Sequence, residues 1–166
     1  MSAIAFTILG QLPSMKNSRR IVLIGKRPAL IKSKDALAYE KTAQLQVPSS
    51  ARQMLAGPVR FTATVFYSSQ RPDLDPALLL DILAAKYERQ KGKLVKIADG
   101  EYAHEESERV LVRRGVYIND RQCREIHLYH GIDKANPRAE VVIEPMEPQQ
   151  GDFDLTVSSE DEADPF

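Results

Sequence analysis

Nine residues, Val59 to Tyr67, alternate between apolar and polar side chains, which puts Val59, Phe61, Ala63, Val65 and Tyr67 on one face of a β-strand. Shorter apolar runs bounded by Gly, Pro or polar turns predict further strands at Ala3–Leu9, Ile21–Ile24, Ala29–Ile31, Val116–Ile118, Cys123–His130 and Arg138–Glu144. Ser33, followed by Ala36, Tyr39 and Ala43 at helical spacing, predicts a capped helix reaching Leu45. Pro76 opens a second helix, expected to run to about Tyr87. Pro48 to Gly57 reads as a connection with a turn of helix near Ala51–Leu55. From Glu88 to Gly115 charge replaces pattern; this is an excursion from the core, with Lys93–Ile97 and Arg109–Val112 expected to pair as a small hairpin.

These elements predict one α+β domain (α/β in the broad sense) over residues 1–147, with a sheet of five to six strands and two main helices. Residues 148–166, rich in Pro, Gln, Gly, Ser and acids, lack the apolar content to bury a core and are expected to be disordered. The absence of any apolar run of about eighteen residues predicts no membrane span. The opening Met-Ser-Ala-Ile-Ala-Phe has no basic segment before an apolar stretch, so no secretory signal is expected. A single cysteine, Cys123, excludes an internal disulfide and a cysteine-built zinc site, and points to a reducing cytoplasm. The 23 basic residues match the 23 acidic ones, but the charge is separated. Asp152, Asp154, Glu160, Asp161, Glu162 and Asp164 stand in a tail without Lys or Arg, leaving the preceding body about +6, a balance that permits a polyanionic partner. Between Lys16 and Lys34 lie seven basic residues and no acidic one, which makes the expected hairpin there a candidate phosphate-contacting surface.

The chemistry centres on Arg71-Pro72-Asp73-Leu74-Asp75-Pro76. In an extended segment Asp73 and Asp75 point to one face, and two carboxylates so placed repel unless a cation lies between them. Oxygen donors of this kind suit a hard cation such as Mg²⁺, which takes one or two carboxylates and completes its shell with water and substrate phosphate. The same sequence also describes a helix start, with Asp75 as N-cap and Pro76 at the first position, so cap and metal site both stand as readings. The histidines give no second centre: His104 beside Glu105 and Glu106 reads as a solvated loop residue, and His127 and His130 fall on opposite faces of their strand.

Three stretches together, Pro13-Ser14-Met15-Lys16-Asn17-Ser18-Arg19-Arg20, the Asp73-Leu74-Asp75 helix start and Val116-Tyr117-Ile118-Asn119-Asp120-Arg121-Gln122, resemble the RusA-like Holliday junction resolvases, small nucleases common in phages and prophages. The resemblance spans residues 3–145 in patches. It implies a mixed α/β fold, a homodimer, and cleavage of branched DNA in recombination and repair with Mg²⁺, or Mn²⁺ in its place. By the same resemblance Asp73, Asp75 and Asp120 are the catalytic metal ligands, with Asp81 a further acid. Lys16, Asn17, Arg19, Arg20, Lys26, Arg27 and Arg71 are the expected DNA contacts. The chain departs from the family in having Leu79 where a lysine is usual, Leu83 where a helix acid is usual, with Asp81 two positions earlier, and the excursion at Glu88–Gly115. Lys86 or a residue of the excursion is the expected substitute for the lysine. The missing lysine also favours an alternative, a non-catalytic DNA-binding protein on the same scaffold. The tail's Glu160-Asp161-Glu162-Ala163-Asp164-Pro165-Phe166 resembles the acidic tip of single-stranded-DNA-binding proteins, which implies a protein partner docking on Asp164, Pro165 and Phe166 or a fold-back onto the basic surface.

Overall fold

The computed structural model describes residues 2–70, 72–90, 94–96, 102–104 and 107–147, with the backbone alone at 15, 94–96 and 102–104. The alternating stretch forms strand β4 (Val59–Tyr67), whose five odd-numbered residues are fully buried. It lies inside a four-stranded sheet in the order β1 (Ile4–Leu9), β10 (Arg138–Pro145), β4, β9 (Cys123–Ile132). The two pairings made by β10 are antiparallel, whereas β4 and β9 are parallel from Val59↔Cys123 to Tyr67↔Ile132. Parallel neighbours need a crossover, and here it contains helix α3 (Pro76–Leu83).

On one sheet face Ile4, Ile8, Ala139, Val141, Ile143 and the odd residues of β4 join a single core with α2 (Lys34–Gln46) and α3. Helix α2 gives Ala36, Tyr39 and Ala43 to that core, as its spacing predicts, and Ser33 Oγ accepts a hydrogen bond from the Ala36 amide at 3.1 Å. Helix α3 buries Leu78, Leu79, Leu80, Ile82 and Leu83, so most of its circumference is interior. The outer edge of β1 is partly closed by Gln46, whose amide bonds both the N–H and the carbonyl of Leu9. No strand covers the outer edge of β9 among the described residues. No helix among them is long and apolar enough to cross a membrane.

The fold is the expected α+β domain, and the six strands outside the excursion divide between the four-stranded sheet and a separate hairpin. The short helix α1 (Met15–Ser18) leads into that hairpin of β2 (Arg19–Ile24) and β3 (Arg27–Lys32), turned at Gly25 with φ +64°. Its root is closed by the Ser33 amide bonding the Ser18 carbonyl at 2.8 Å.

Four expectations are corrected. Helix α3 stops at Leu83 instead of Tyr87, because the Ala85 amide bonds Tyr117 O at 2.9 Å, the Val116 amide bonds Leu83 O at 2.8 Å, and Lys86–Gln90 becomes strand β5. In the excursion, Arg109–Val112 does not pair with Lys93–Ile97. Strand β5 pairs with β8 (Glu108–Arg113), and β6 (Leu94–Lys96) pairs with β7 (Tyr102–His104). Val116–Ile118 is not a full strand but makes isolated bridges from Tyr117 to Leu55 and Ala84. The helical turn in the connection falls at Ser49–Ala51, ahead of the expected Ala51–Leu55. His127 and His130 do face opposite ways, one beside Glu125 at 3.4 Å and the other stacked on Tyr67 at 5.2 Å. The tail 148–166 lies outside the described residues.

Candidate active site

Strand β4 delivers the chain to the paired aspartates, and they part company there. Asp75 caps α3: its Oδ1 accepts from the Leu78 amide at 3.3 Å, Pro76 takes the first helical position, and the residue is 4% exposed. Asp73 keeps a side chain 57% exposed, with Lys16 Nζ at 3.6 Å. Its backbone carbonyl accepts from the buried Tyr67 hydroxyl at 3.3 Å. Burial raises the Tyr67 pKa to about 12, and the negative charges of Asp75 and Asp73 add to the shift.

A second pair gathers near the far end of α3, with one acid from the helix and one from outside it. Asp81 and Asp120 line one cleft of about 470 Å³ together with Lys32, Glu40, Arg113 and Asn119. Lys32 Nζ lies 2.9 Å from Glu40 and 3.4 Å from Asp81. A small recess behind it is lined by Asp75, Asp81, Lys32, Ser18 and Arg19, so Asp81 and Lys32 border both spaces. Below the cleft the Tyr117 hydroxyl donates to Leu80 O at 2.9 Å. Burial pushes its pKa far up, followed by the effects of Cys123, Asp120 and Asp81. Burial likewise pushes the Cys123 thiol up to about 11.

Asp120 is held by a local device. It begins a 3-10 turn (Asp120–Gln122) capped by Asn119, whose side chain accepts from the Arg121 amide at 2.9 Å while Gln122 Oε1 accepts from the Asn119 amide at 2.8 Å. Buried Gln122 also donates to the carbonyls of Leu55 at 2.7 Å and Gly57 at 2.8 Å. The corner carrying Asp120 is thereby pinned to the connection that precedes β4.

No protein-family model and no curated protein matches this chain.

Of the residues singled out from sequence, Asp75, Asp81 and Asp120 border the linked cleft and recess, while Asp73 faces Lys16 at the surface. Lys16 and Asn17 lie on α1, and Arg19, Arg20, Lys26 and Arg27 lie exposed on the hairpin; Arg71 is outside the described residues. Lys86, one expected substitute for the family lysine, lines the cleft. Lys32, Glu40 and Arg113 were not legible as site residues, because they meet only through tertiary packing. Lys32 had a signal only as one of seven basic residues in its stretch. Arg113 donates to the carbonyls of Ala84 and Ile82 at 3.3 and 3.4 Å, closing the end of α3. Its Nε is buried without a hydrogen-bond partner among the described residues, and burial lowers its pKa against the opposing pull of Glu40.

No three His, Cys, Asp or Glu side chains among the described residues stand together as a cation cage. Mg²⁺ is commonly held by only one or two carboxylates, with water and substrate phosphate completing the shell. The oxygen-only acids Asp81 and Asp120 on one cleft, with Asp75 in the adjoining recess, fit that smaller donor set.

Proposed function

We propose that this chain is a metal-dependent, structure-selective endonuclease of the RusA-like type, acting as a homodimer on Holliday junctions or other branched DNA in the cytoplasm. The observation that carries the reading is the gathering of Asp75 and Asp81 from α3 with Asp120, some forty residues further along the chain, around two spaces that share Lys32 and Asp81, at the root of a hairpin that exposes Arg19, Arg20, Lys26 and Arg27. Asp81 and Asp120 would hold Mg²⁺ or Mn²⁺, with Asp75 beside them and exposed Asp73 joining from the rim. Bound there, the ion supplies Lewis acidity to a phosphodiester and lowers the pKa of a water. Asp120, exposed on its braced turn, takes the proton of the attacking water. Lys32, carried on β3 between the acids, sets its ammonium against the charge of the scissile phosphate. Arg19, Arg20, Lys26, Arg27, Lys16, Asn17 and Arg71 grip flanking phosphates, and a two-fold dimer presents two such sites to a symmetric junction.

The test is a synthetic four-way junction with Mg²⁺. Wild-type protein is expected to nick it, and Asp120→Asn and Asp75→Asn to slow nicking about a hundredfold or more. Wild type no faster than Asp75→Asn ends the enzyme reading. A second reading, a non-catalytic DNA-binding protein that recruits partners through its acidic tail, is favoured by Leu79, which is fully buried and presents no cation to the cleft. Junction binding without metal-dependent nicking decides for it.

A further inference from the structure

One face of the β2–β3 hairpin carries exposed apolar side chains beside its cations. Opposed pairs Arg19↔Lys32, Ile21↔Leu30 and Leu23↔Pro28 share that face. On it Ile21, Leu23 and Leu30 are 74%, 74% and 59% exposed, an apolar stripe with Arg19 at the root and Lys26 in the turn at the tip, while Arg20 and Arg27 flank it from the opposite face. Arg19, Arg20, Lys26 and Arg27 make no ion pair among the described residues, in contrast to Arg60, Arg113 and Arg138, each engaged by a carboxylate. Phosphates satisfy such cations but leave aliphatic side chains in water. A second hairpin brings the same cations and repels. The occupant that matches both features is acidic and carries a large apolar group.

We propose that the segment Glu160–Phe166 of this chain docks on that face. Its carboxylates Glu160, Asp161, Glu162 and Asp164 meet the hairpin cations, and Phe166 covers the Ile21, Leu23 and Leu30 stripe. Reach is adequate. Strand β10 ends at Pro145 beside Val59, whereas β1 leads toward the hairpin from Leu9 beside Arg138, so the segment must return along the length of the sheet. The eight residues of β10 span about 27 Å, and the twelve residues 148–159 extend to about 40 Å. Docked there, the segment competes with DNA for the hairpin cations. That last consequence rests on the nuclease or DNA-binding reading above; the docking itself does not.

Zero-length carbodiimide cross-linking of the full chain at low micromolar concentration tests the docking. The expected product has monomer mass and joins Lys26 to one of the four acids, with at least fivefold less of it in 0.5 M salt, in Leu23→Ser and in Phe166→Ser. No such product, product confined to dimer mass, or a yield indifferent to Leu23→Ser and Phe166→Ser overturns the docking. In parallel, a variant carrying Glu160→Gln, Asp161→Asn, Glu162→Gln and Asp164→Asn is expected to bind a four-way junction at least threefold more tightly than wild type at low salt. Equal affinities overturn the competition. Failure of both proteins to bind DNA sinks the DNA reading while the cross-link still reports on the docking.

Discussion

Asp75 serves as a helix cap whatever else it does, and this gives a clean way to separate its roles. Asparagine caps a helix about as well as aspartate, so Asp75→Asn should change stability by no more than about 0.5 kcal/mol, read from urea midpoints, while junction nicking collapses. Asp75→Ala should in addition lose about 1 kcal/mol. A loss of nicking that merely tracked stability would return Asp75 to a structural role. The buried acids make a second set. Tyr67 is raised to about 12 and Cys123 to about 11, and Tyr39 and Tyr117 are raised as well, in each case with burial as the largest cause. The folded chain therefore holds these protons at pH values where the unfolded chain releases them. Stability should be unaffected by these groups below about pH 8, near where an unfolded thiol begins to ionise, and should fall as pH rises through 9 to 11. Urea midpoints that stay flat to pH 11 contradict that.

Among the elements, β4 shows what local pattern can reveal: its alternation gave both its bounds and its buried face. The Asp-Pro start of α3 was equally readable, but its end was not. Ala84 to Gln90 is compatible with helix, yet Ala85 bonds Tyr117, Val116 bonds Leu83 and the residues from Lys86 on pair with β8, so partners some twenty to thirty residues away override local preference. The site divides the same way. Asp75 was visible at its capped helix start and Asp120 at the turn after Val116–Ile118 and through the family resemblance, whereas the meeting of Lys32, Glu40 and Asp81 depends on how β3, α2 and α3 pack. Gly115 marks the tightest approach. A Cβ there would stand 2.2 Å from the Ala85 nitrogen and 2.6 Å from the Leu83 carbonyl, all backbone that has no rotamer to yield. Gly115→Ala should cost about 3 kcal/mol, measured by thermal or urea unfolding. Leu79→Lys, which introduces the residue usual in the resembled family, should not raise turnover above wild type. It places an ammonium in the core of α3 and should cost several kcal/mol, about 4 or more, giving a strongly lowered Tm.

The molecule as a whole separates its charge along the sequence, with a hairpin stretch, Lys16 to Lys34, of seven basic residues and no acidic one, and a tail from Asp152 with six acids and no Lys or Arg. DNA binding through that hairpin should be strongly salt-sensitive. Contacts from Arg19, Arg20, Lys26 and Arg27 predict a slope of about −4 in log affinity against log salt, and Arg20→Ala with Arg27→Ala should flatten it by about 2. A slope unchanged by that pair would move the DNA path elsewhere on the surface.

The parallel pairing of β4 with β9 also bears on how the chain assembles. Val59 meets Cys123 only after the intervening crossover is in place, so the centre of the sheet cannot grow outward from a tight turn as a meander does. Such distant partners carry a large loop-closure entropy, and refolding should run in milliseconds to seconds instead of microseconds.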